Sequence, residues 1–219
     1  MAPTSLAERP RNRAASKALR RQQLIDSTID SIAKRGFADT TLADVAAGAG
    51  LSRGIVNFHF ESKDQLLVAT LQYLADEYRD NWQSALARAG DGAIQRLLAL
   101  VTADFEARVC NRKKIAVWYA FWGEAKSRPT YLKLCAARDA EYEAVMRSVC
   151  GALIAEAPGP ALDLRRVVSG IGALTDGLWL DVLLEPKAVD RASALATTLL
   201  FLSGLFPAHL AADGSIKKA

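Results

Sequence analysis

Residues that carry metal and redox chemistry are scarce in this 219-residue sequence, which has three cysteines, two histidines and no CxxC pair. The cysteine count is odd, and Cys110, Cys135 and Cys150 are separated by 25 and 15 residues. Neither a disulfide framework nor a zinc site is therefore predicted. The sequence has only two histidines, His59 and His209, and it has no phosphate-binding glycine loop and no nucleophile elbow. It therefore contains few of the residue patterns that catalysis uses. We expect a protein that is not an enzyme and that binds neither a metal nor an organic cofactor.

Hydrophobic segments that direct a chain to or across a membrane are also missing. The first 21 residues are polar and basic, so no signal peptide is predicted. The uncharged stretch at residues 192–212 is interrupted by Pro207, and only 15 of its residues precede that proline. About 22 Å of helix is too short for about 30 Å of hydrocarbon. We therefore expect a cytoplasmic protein, associated with the nucleoid if it binds DNA, and without a membrane partner.

The charge is distributed unevenly along the chain. Residues 1–63 contain ten Lys or Arg against six Asp or Glu, whereas residues 64–219 contain eighteen of each. The whole net charge of +4 therefore belongs to the N-terminal part. A basic excess confined to one small unit is typical of a module that binds a polyanion, although a solvated basic tail would give the same count.

Periodicity predicts an all-α fold, because apolar residues recur at three and four positions and strand-like alternation is almost absent. Residues 1–17 have almost no large apolar side chain to bury, so we expect a disordered basic arm there. A first helix ends near Gly36, a natural C-terminal cap, and two very short helices complete a domain at residues 18–63. Longer helices, separated by glycine and proline, form a second domain at residues 64–219. They are predicted at 63–88, 93–109, 112–126, 130–156, 163–184 and 188–206.

The segment TTLADVAAGAGLSRGIVNFHFESKDQLL, residues 40–67, predicts a helix, a tight turn and a second helix. Thr41 forms a capping box with Asp44 at the start of the first helix, and Ser52 is expected to cap the second. Gly50 is small enough for a close turn between them. This is the helix-turn-helix pattern, although an ordinary helical hairpin gives shorter matches of the same kind.

The second short helix is the predicted reading element. It carries Arg53, Gly54 and Asn57 outward, where a DNA groove could approach, and we expect Phe58 and Phe60 to anchor it to the core. The helix that follows begins at Lys63, and its free backbone N–H groups suit a phosphate. The candidate DNA-contacting residues are Thr41, Ser52, Arg53, Gly54, Asn57, His59 and Lys63.

This segment resembles the TetR family of bacterial transcriptional repressors, whose N-terminal signature reads roughly T-x-x-x-[IV]-A-x-x-A-G-[VL]-S-x-G-x-x-Y-x-x-F-x-x-K-x-x-L. The residues that satisfy it are Thr41, Val45, Ala46, Ala49, Gly50, Leu51, Ser52, Gly54, Phe60, Lys63 and Leu66. The resemblance implies an N-terminal three-helix helix-turn-helix DNA-binding domain and a larger C-terminal helical domain for ligand binding and dimerisation. Asn57 departs from the signature, since the family usually has there a tyrosine that contacts a DNA phosphate. An asparagine can donate a hydrogen bond to phosphate or read adenine.

Two C-terminal stretches, WYAFW at residues 118–122 and TDGLWL at residues 175–180, resemble the choline-responsive repressors of glycine-betaine synthesis within this family. The resemblance implies a quaternary ammonium effector, such as choline or betaine aldehyde. Such a cation has no N–H donor, so aromatic faces and a nearby carboxylate suit it. A desolvated cation over Trp or Tyr gains about 2 kcal/mol.

The aromatic residues of these two stretches are the candidate ligand wall. Trp118 and Trp122 share one helix face, and Asp176 lies three residues before Trp179 on another. Core packing explains the same aromatic run, and Tyr119 and Phe121 suit packing better than ligand contact. The candidate ligand-binding residues are Trp118, Trp122, Trp179, Asp176, Phe121 and Tyr119.

The predicted function is a ligand-responsive repressor that binds a palindromic operator as a homodimer and regulates choline-to-glycine-betaine genes. We expect dimerisation through the last two long helices, with apolar area from Leu195, Leu199, Leu202 and Phe206. A repressor that responds to another lipophilic cation or drug is the first alternative. An architectural DNA-binding protein without an effector is the second.

Overall fold

The computed structural model describes residues 8–156 and 162–217, and within these ranges the chain forms nine helices and no β-strand. The predicted all-α fold class is confirmed. The helices are α1 (Glu8–Arg35), α2 (Leu42–Gly48), α3 (Arg53–His59), α4 (Lys63–Arg88), α5 (Ala93–Asp104), α6 (Arg112–Ala125), α7 (Pro129–Glu156), α8 (Leu164–Leu184) and α9 (Arg191–Leu205).

Two helix limits differ from the prediction by five residues or more. Helix α1 already begins at Glu8, so residues 8–17 are helical rather than an arm, and residues 1–7 lie outside the described part. This stretch contains two alanines, three arginines and a lysine, which are good helix formers, so helical propensity supports the extension of α1. Helix α5 ends at Asp104 rather than at residue 109, and the Asp104 carbonyl accepts a hydrogen bond from the indole N–H of Trp179 at 2.9 Å.

The chain divides into two compact units, and the division does not follow the predicted boundary at residue 63. Unit 1 comprises residues 1–73 and 117–131, and unit 2 comprises residues 74–116 and 132–219. Unit 1 therefore contains the helix-turn-helix segment together with most of α6 and the start of α7.

In unit 1, α1 and α2 pack closely around a core of aliphatic side chains. The Ser27 hydroxyl of α1 donates a hydrogen bond of 2.8 Å to the carbonyl of Val45 in α2. A Cβ added at Gly48 would come within 2.5 Å of the Ser27 oxygen, so this approach requires glycine. Gly36 and Gly50 have φ values of 88° and 65°, as their predicted roles at a helix end and a tight turn require. The buried residues of this core include Leu24, Ile25, Ile29, Val45, Ala46, Val56 and Phe60.

The helix starts confirm one predicted cap and correct another. The Thr41 hydroxyl accepts from the Asp44 N–H at 3.1 Å, and an Asp44 carboxylate oxygen accepts from the Thr41 N–H at 3.2 Å, so the capping box is present. Ser52 occupies the N-cap position of α3 but makes no capping hydrogen bond with its side chain. The predicted capping role of Ser52 is wrong.

In unit 2, α8 and α9 pack against each other and bury apolar residues along α8. Leu202 and Phe206 are each 0% exposed, so they belong to the core of the chain rather than to the predicted dimer surface. Leu200 and Phe201 are the exposed apolar residues of α9 instead. Helix α8 is long and apolar enough to cross a bilayer, a test that core helices of water-soluble proteins also pass. All three cysteines are buried and free.

Candidate DNA-binding surface and effector cavity

Four residues form the exposed face of α3. Arg53, Gly54, Asn57 and Phe58 are all exposed and fall within an arc of about 140° at 3.6 residues per turn. Val56 lies on the opposite side and is completely buried. The structure thus brings together three of the predicted DNA-contacting residues and adds a fourth. Phe58 is 69% exposed, so the prediction that it anchors α3 to the core is wrong.

The remaining predicted DNA contacts are not part of this face. Thr41 and Ser52 are exposed at the starts of α2 and α3, and Lys63, at the start of α4, donates a hydrogen bond of 3.4 Å to the carbonyl of Ala38. His59 is half-buried on the side of α3 away from Arg53. Burial and the positive charges of Lys17 and Arg21 lower the pKa of His59, which keeps its ring neutral at pH 7.

Basic residues of α1 lie over aromatic residues within and directly after α3. The Lys17 ammonium lies 5.5 Å from the centroid of the Phe58 ring, and the Arg21 guanidinium lies 5.4 Å from that of Phe60. Both distances are within the range of cation–π attraction. The N-terminal positive charge is therefore placed beside the exposed face of α3.

The α6 aromatic residues lie in unit 1, where two of them are core residues. Trp118 is 1% exposed and Phe121 is 0% exposed. Phe121 packs edge-on against Phe37 at 5.5 Å and against Tyr131 at 5.2 Å, measured between ring centroids. Trp122 is half-buried and its ring centroid lies 6.1 Å from that of Trp118.

Tyr119, the last predicted member of this group, packs edge-on against the Trp122 ring at 5.0 Å. Each of the four aromatic residues of α6 therefore packs against another aromatic ring. Trp122 and Tyr119 retain partial exposure.

The start of α7 is tied to the start of α4 within unit 1. Asp64 accepts hydrogen bonds from Arg128 at 3.0 Å and from the Tyr131 hydroxyl at 3.2 Å. Arg128 also stacks over the rings of Phe37 and Tyr131. Burial, with the charge of Asp64 and its hydrogen bond, raises the pKa of Tyr131 to about 12, so the phenol remains a donor.

Unit 2 contains a buried carboxylate surrounded by aromatic rings. Asp104 is 3% exposed; one of its carboxylate oxygens accepts from the Tyr78 hydroxyl at 2.7 Å and the other from the Tyr142 hydroxyl at 2.8 Å. The Trp179 ring packs edge-on against Tyr78 at 6.1 Å, and Trp82 packs edge-on against Tyr142 at 5.8 Å. This Asp104 cluster joins α4, α5, α7 and α8.

A cavity of about 380 Å³ lies beside the Asp104 cluster, between residues of α4, α7 and α8. Its lining includes Tyr78, Tyr142, Met146 and three acidic residues. The carboxylates belong to Asp139, Glu143 and Asp176. Within the described part of the chain, no lysine or arginine contributes to this lining, although Arg147 forms an ion pair with Glu143.

The structure places the predicted ligand residues at different positions relative to this cavity. Asp176 lines it, whereas Trp179 belongs to the adjoining Asp104 cluster, where it is 4% exposed. Trp118, Tyr119, Phe121 and Trp122 belong to unit 1. The sequence analysis missed Tyr78, Asp104 and Tyr142. The signals in the sequence were a charged residue at the end of the apolar helix α5 and the Tyr78–Trp82 pair at i, i+4.

Comparisons with known families match two successive segments of the chain. Residues 24–70 match the family described as bacterial regulatory proteins of the tetR family, and residues 93–207 match the C-terminal domain of BetI-type transcriptional repressors. The HTH-type transcriptional regulator BetI of Paraburkholderia xenovorans is 36% identical over 182 residues, covering 82% of this chain and 89% of that protein. BetI of Klebsiella pneumoniae is 32% identical over 192 residues, covering 86% and 95%.

Solved structures share the fold. A transcriptional regulator from Pseudomonas aeruginosa PAO1 superposes with a TM-score of 0.76 at 26% identity, covering 87% of this chain and 91% of that one. A transcriptional regulator from Saccharomonospora viridis, solved in complex with choline, gives a TM-score of 0.74 at 20% identity, covering 84% and 95%.

Proposed function

Because the chain belongs to the TetR family of bacterial transcriptional regulators and has a C-terminal domain of the BetI type, we propose that it is a repressor controlled by a quaternary ammonium effector. It is a regulator of transcription rather than an enzyme. In this proposal a homodimer binds a palindromic operator of choline-to-glycine-betaine genes in the cytoplasm, at the nucleoid. Choline or betaine aldehyde then lowers its affinity for the operator.

The observation that carries the effector class is the chemistry of the unit 2 cavity. A quaternary ammonium ion has a diffuse charge and no hydrogen-bond donor on nitrogen, so aromatic faces and nearby carboxylates select it. Tyr78 and Tyr142 supply ring faces, while Asp139, Glu143 and Asp176 supply negative charge. A volume of about 380 Å³ is in the range of small-molecule sites. The names of the BetI relatives and the choline complex of the S. viridis regulator support the same class.

The partly exposed end of the α6 aromatic group is a second candidate position for the effector. Trp122 and Tyr119 have accessible ring surface, and the sequence analysis favoured Trp118 and Trp122. Trp179 and Asp176 belong to the first position. We place the effector in the unit 2 cavity because carboxylates and aromatic rings line it together, and we keep α6 as the alternative that mutation separates.

Dimerisation in this proposal uses the outer faces of α8 and α9. Leu184, Leu200 and Phe201 are exposed apolar residues there, at 67%, 57% and 41% exposure. Burying such side chains is a driving force for a two-fold symmetric contact. A two-fold dimer would present two α3 helices to successive major grooves about 34 to 36 Å apart. Sedimentation of a monomer at micromolar concentration would contradict it.

A repressor of another lipophilic cation or drug would use the same cavity chemistry. The two hypotheses predict effectors of different size. Choline and the bulky cation tetraphenylphosphonium should therefore be titrated into the same protein and their binding measured by calorimetry. Choline-selective binding supports the proposal, and preference for the bulky cation supports the alternative.

The position of the effector is tested by two aromatic variants. We expect Tyr142→Ala to weaken choline binding by about ten-fold or more, since a desolvated cation–π contact contributes about 2 kcal/mol. Trp122→Ala is the matched control, because it removes an aromatic ring from α6. Loss of choline binding in Trp122→Ala with full binding in Tyr142→Ala would move the effector to α6.

A further inference from the structure

The folded chain does not bury the side chain of Phe58. At 69% exposure, no large hydrophobic side chain in the described residues is more accessible. Its ring contacts the His59 ring edge-on at 5.2 Å, and the Lys17 ammonium lies 5.5 Å from its centroid. A phenylalanine gains most by burial, so this exposure points to a contact made outside the chain.

The position of Phe58 identifies the partner. It shares the exposed face of α3 with Arg53 and Asn57, which are predicted to contact DNA. A phenylalanine ring has no hydrogen-bond donor or acceptor for the base edges. The 5-methyl group of thymine is the apolar feature that base pairs present in the major groove.

We propose that Phe58 reads thymine, packing its ring against the 5-methyl group of one base in each operator half-site. This inference rests on the proposed operator binding and adds a specificity-determining residue to it. The partner is a thymine in duplex DNA, rather than a protein surface.

The surroundings of the ring suit a base contact. Gly54 lies one turn before Phe58 and is exposed, so no side chain covers that flank of the ring. A Cβ added at Gly54 would meet only the Ser52 oxygen, at 3.7 Å. The groove side of the ring is therefore open to a base edge.

Charge on the other side of the ring is complementary to the DNA backbone. Lys17 holds its ammonium over Phe58, and it is itself exposed. A lysine in that position can pair with a phosphate while the ring reaches the base, which fixes the register of the contact. Asn57, adjacent on the same face, is suited to adenine, so the predicted half-site is rich in A·T pairs at this point.

The test removes the methyl group and the ring in turn. The full-length protein selects a duplex from a random-sequence library, and each thymine of that duplex is then replaced singly by deoxyuridine, which lacks only the methyl group. We expect one position per half-site at which the wild-type protein loses about four-fold in affinity, the value of one buried methyl group. Phe58→Ala should bind deoxyuridine and thymine duplexes equally at that position.

Two further variants serve as controls. Asn57→Ala should bind more weakly but keep the four-fold deoxyuridine penalty, and Phe58→Leu should keep part of it. Circular dichroism checks that Phe58→Ala is folded, which its exposure predicts. No sensitive thymine in the wild-type protein, or a penalty that persists in Phe58→Ala, would overturn the inference while leaving operator binding intact. Failure to select any specific duplex would instead overturn the proposed function, and the inference with it.

Discussion

The Tyr142 hydroxyl donates a hydrogen bond of 2.8 Å to the carboxylate of Asp104, a residue that is 3% exposed. Tyr78 donates to the other oxygen of the same carboxylate at 2.7 Å. Burial, followed by the charge of Asp104, raises the pKa of Tyr142 well above its ordinary value, so the phenol stays protonated and continues to donate. Tyr142 also lines the cavity.

Two substitutions of Tyr142 should separate stability from effector binding. Phe keeps the ring but removes a hydrogen bond to a buried carboxylate, so Tyr142→Phe should lower the free energy of unfolding by about 1.5 to 3 kcal/mol. Its choline affinity should change little, because the ring face remains, whereas Tyr142→Ala should lose the affinity as well. Urea denaturation and calorimetry measure the two effects. Equal loss of choline affinity in both variants would show that the hydroxyl, not the ring, contacts the effector.

The carboxylates of the cavity should favour a charged ligand over a neutral one of the same shape. We expect Asp176→Asn and Glu143→Gln each to weaken choline binding by several-fold, an effect that added salt reduces. The neutral carbon isostere of choline, in which a quaternary carbon replaces the nitrogen, is the control ligand. Its affinity should be unchanged by both substitutions, and a parallel loss for both ligands would count against a role for charge.

Tyr131 should make stability fall at alkaline pH. Its folded pKa is about 12 against an ordinary value of 10.0, so above about pH 10 the unfolded chain releases the proton more readily than the folded one. The stabilising effect is fully present below about pH 10 and is lost as the pH rises towards 12. Tyr131→Phe should therefore show a shallower alkaline decline in its free energy of unfolding. Denaturant titrations of both proteins across this range provide the measurement, and identical slopes would refute the assignment.

The two short helices offer a matched pair of cap substitutions. Thr41→Ala removes a capping hydrogen bond that α2 uses, and it should cost about 1 kcal/mol of stability. Ser52→Ala removes a hydroxyl from the same kind of position in α3, where no capping bond is made, and should cost only a few tenths. Thermal unfolding of the two variants compares them directly. An equal loss for both would mean that the Ser52 side chain does cap α3.

Local spacing made the helix-turn-helix segment predictable. The capping box joins Thr41 and Asp44, which are three positions apart, and Gly36 and Gly50 lie where the backbone needs a positive φ. The direction of Phe58 was also within reach, since the buried Val56 and Phe60 are four residues apart and leave Phe58 on the opposite face. It was missed because an aromatic residue was assumed to be inside.

The Asp104 cluster could not be predicted from the spacing of residues in the sequence. Its hydrogen bonds join residues separated by 26, 38 and 75 positions, and no periodic pattern connects them. The run at residues 118–122 drew attention because its aromatic residues are adjacent in sequence. Trp118 and Phe121 are nevertheless core residues, since tertiary packing around α6 decides which rings are covered.

The most direct test of the proposed function is the affinity of the full-length protein for its selected operator duplex, measured while choline and then betaine aldehyde are titrated in. A coupling of about 1 to 3 kcal/mol between effector and DNA corresponds to a 5- to 150-fold change, and we predict a decrease of that size with at least one of the two compounds. The decrease should be absent in Tyr142→Ala at the same effector concentration. Operator affinity that stays constant with both compounds would contradict the proposal.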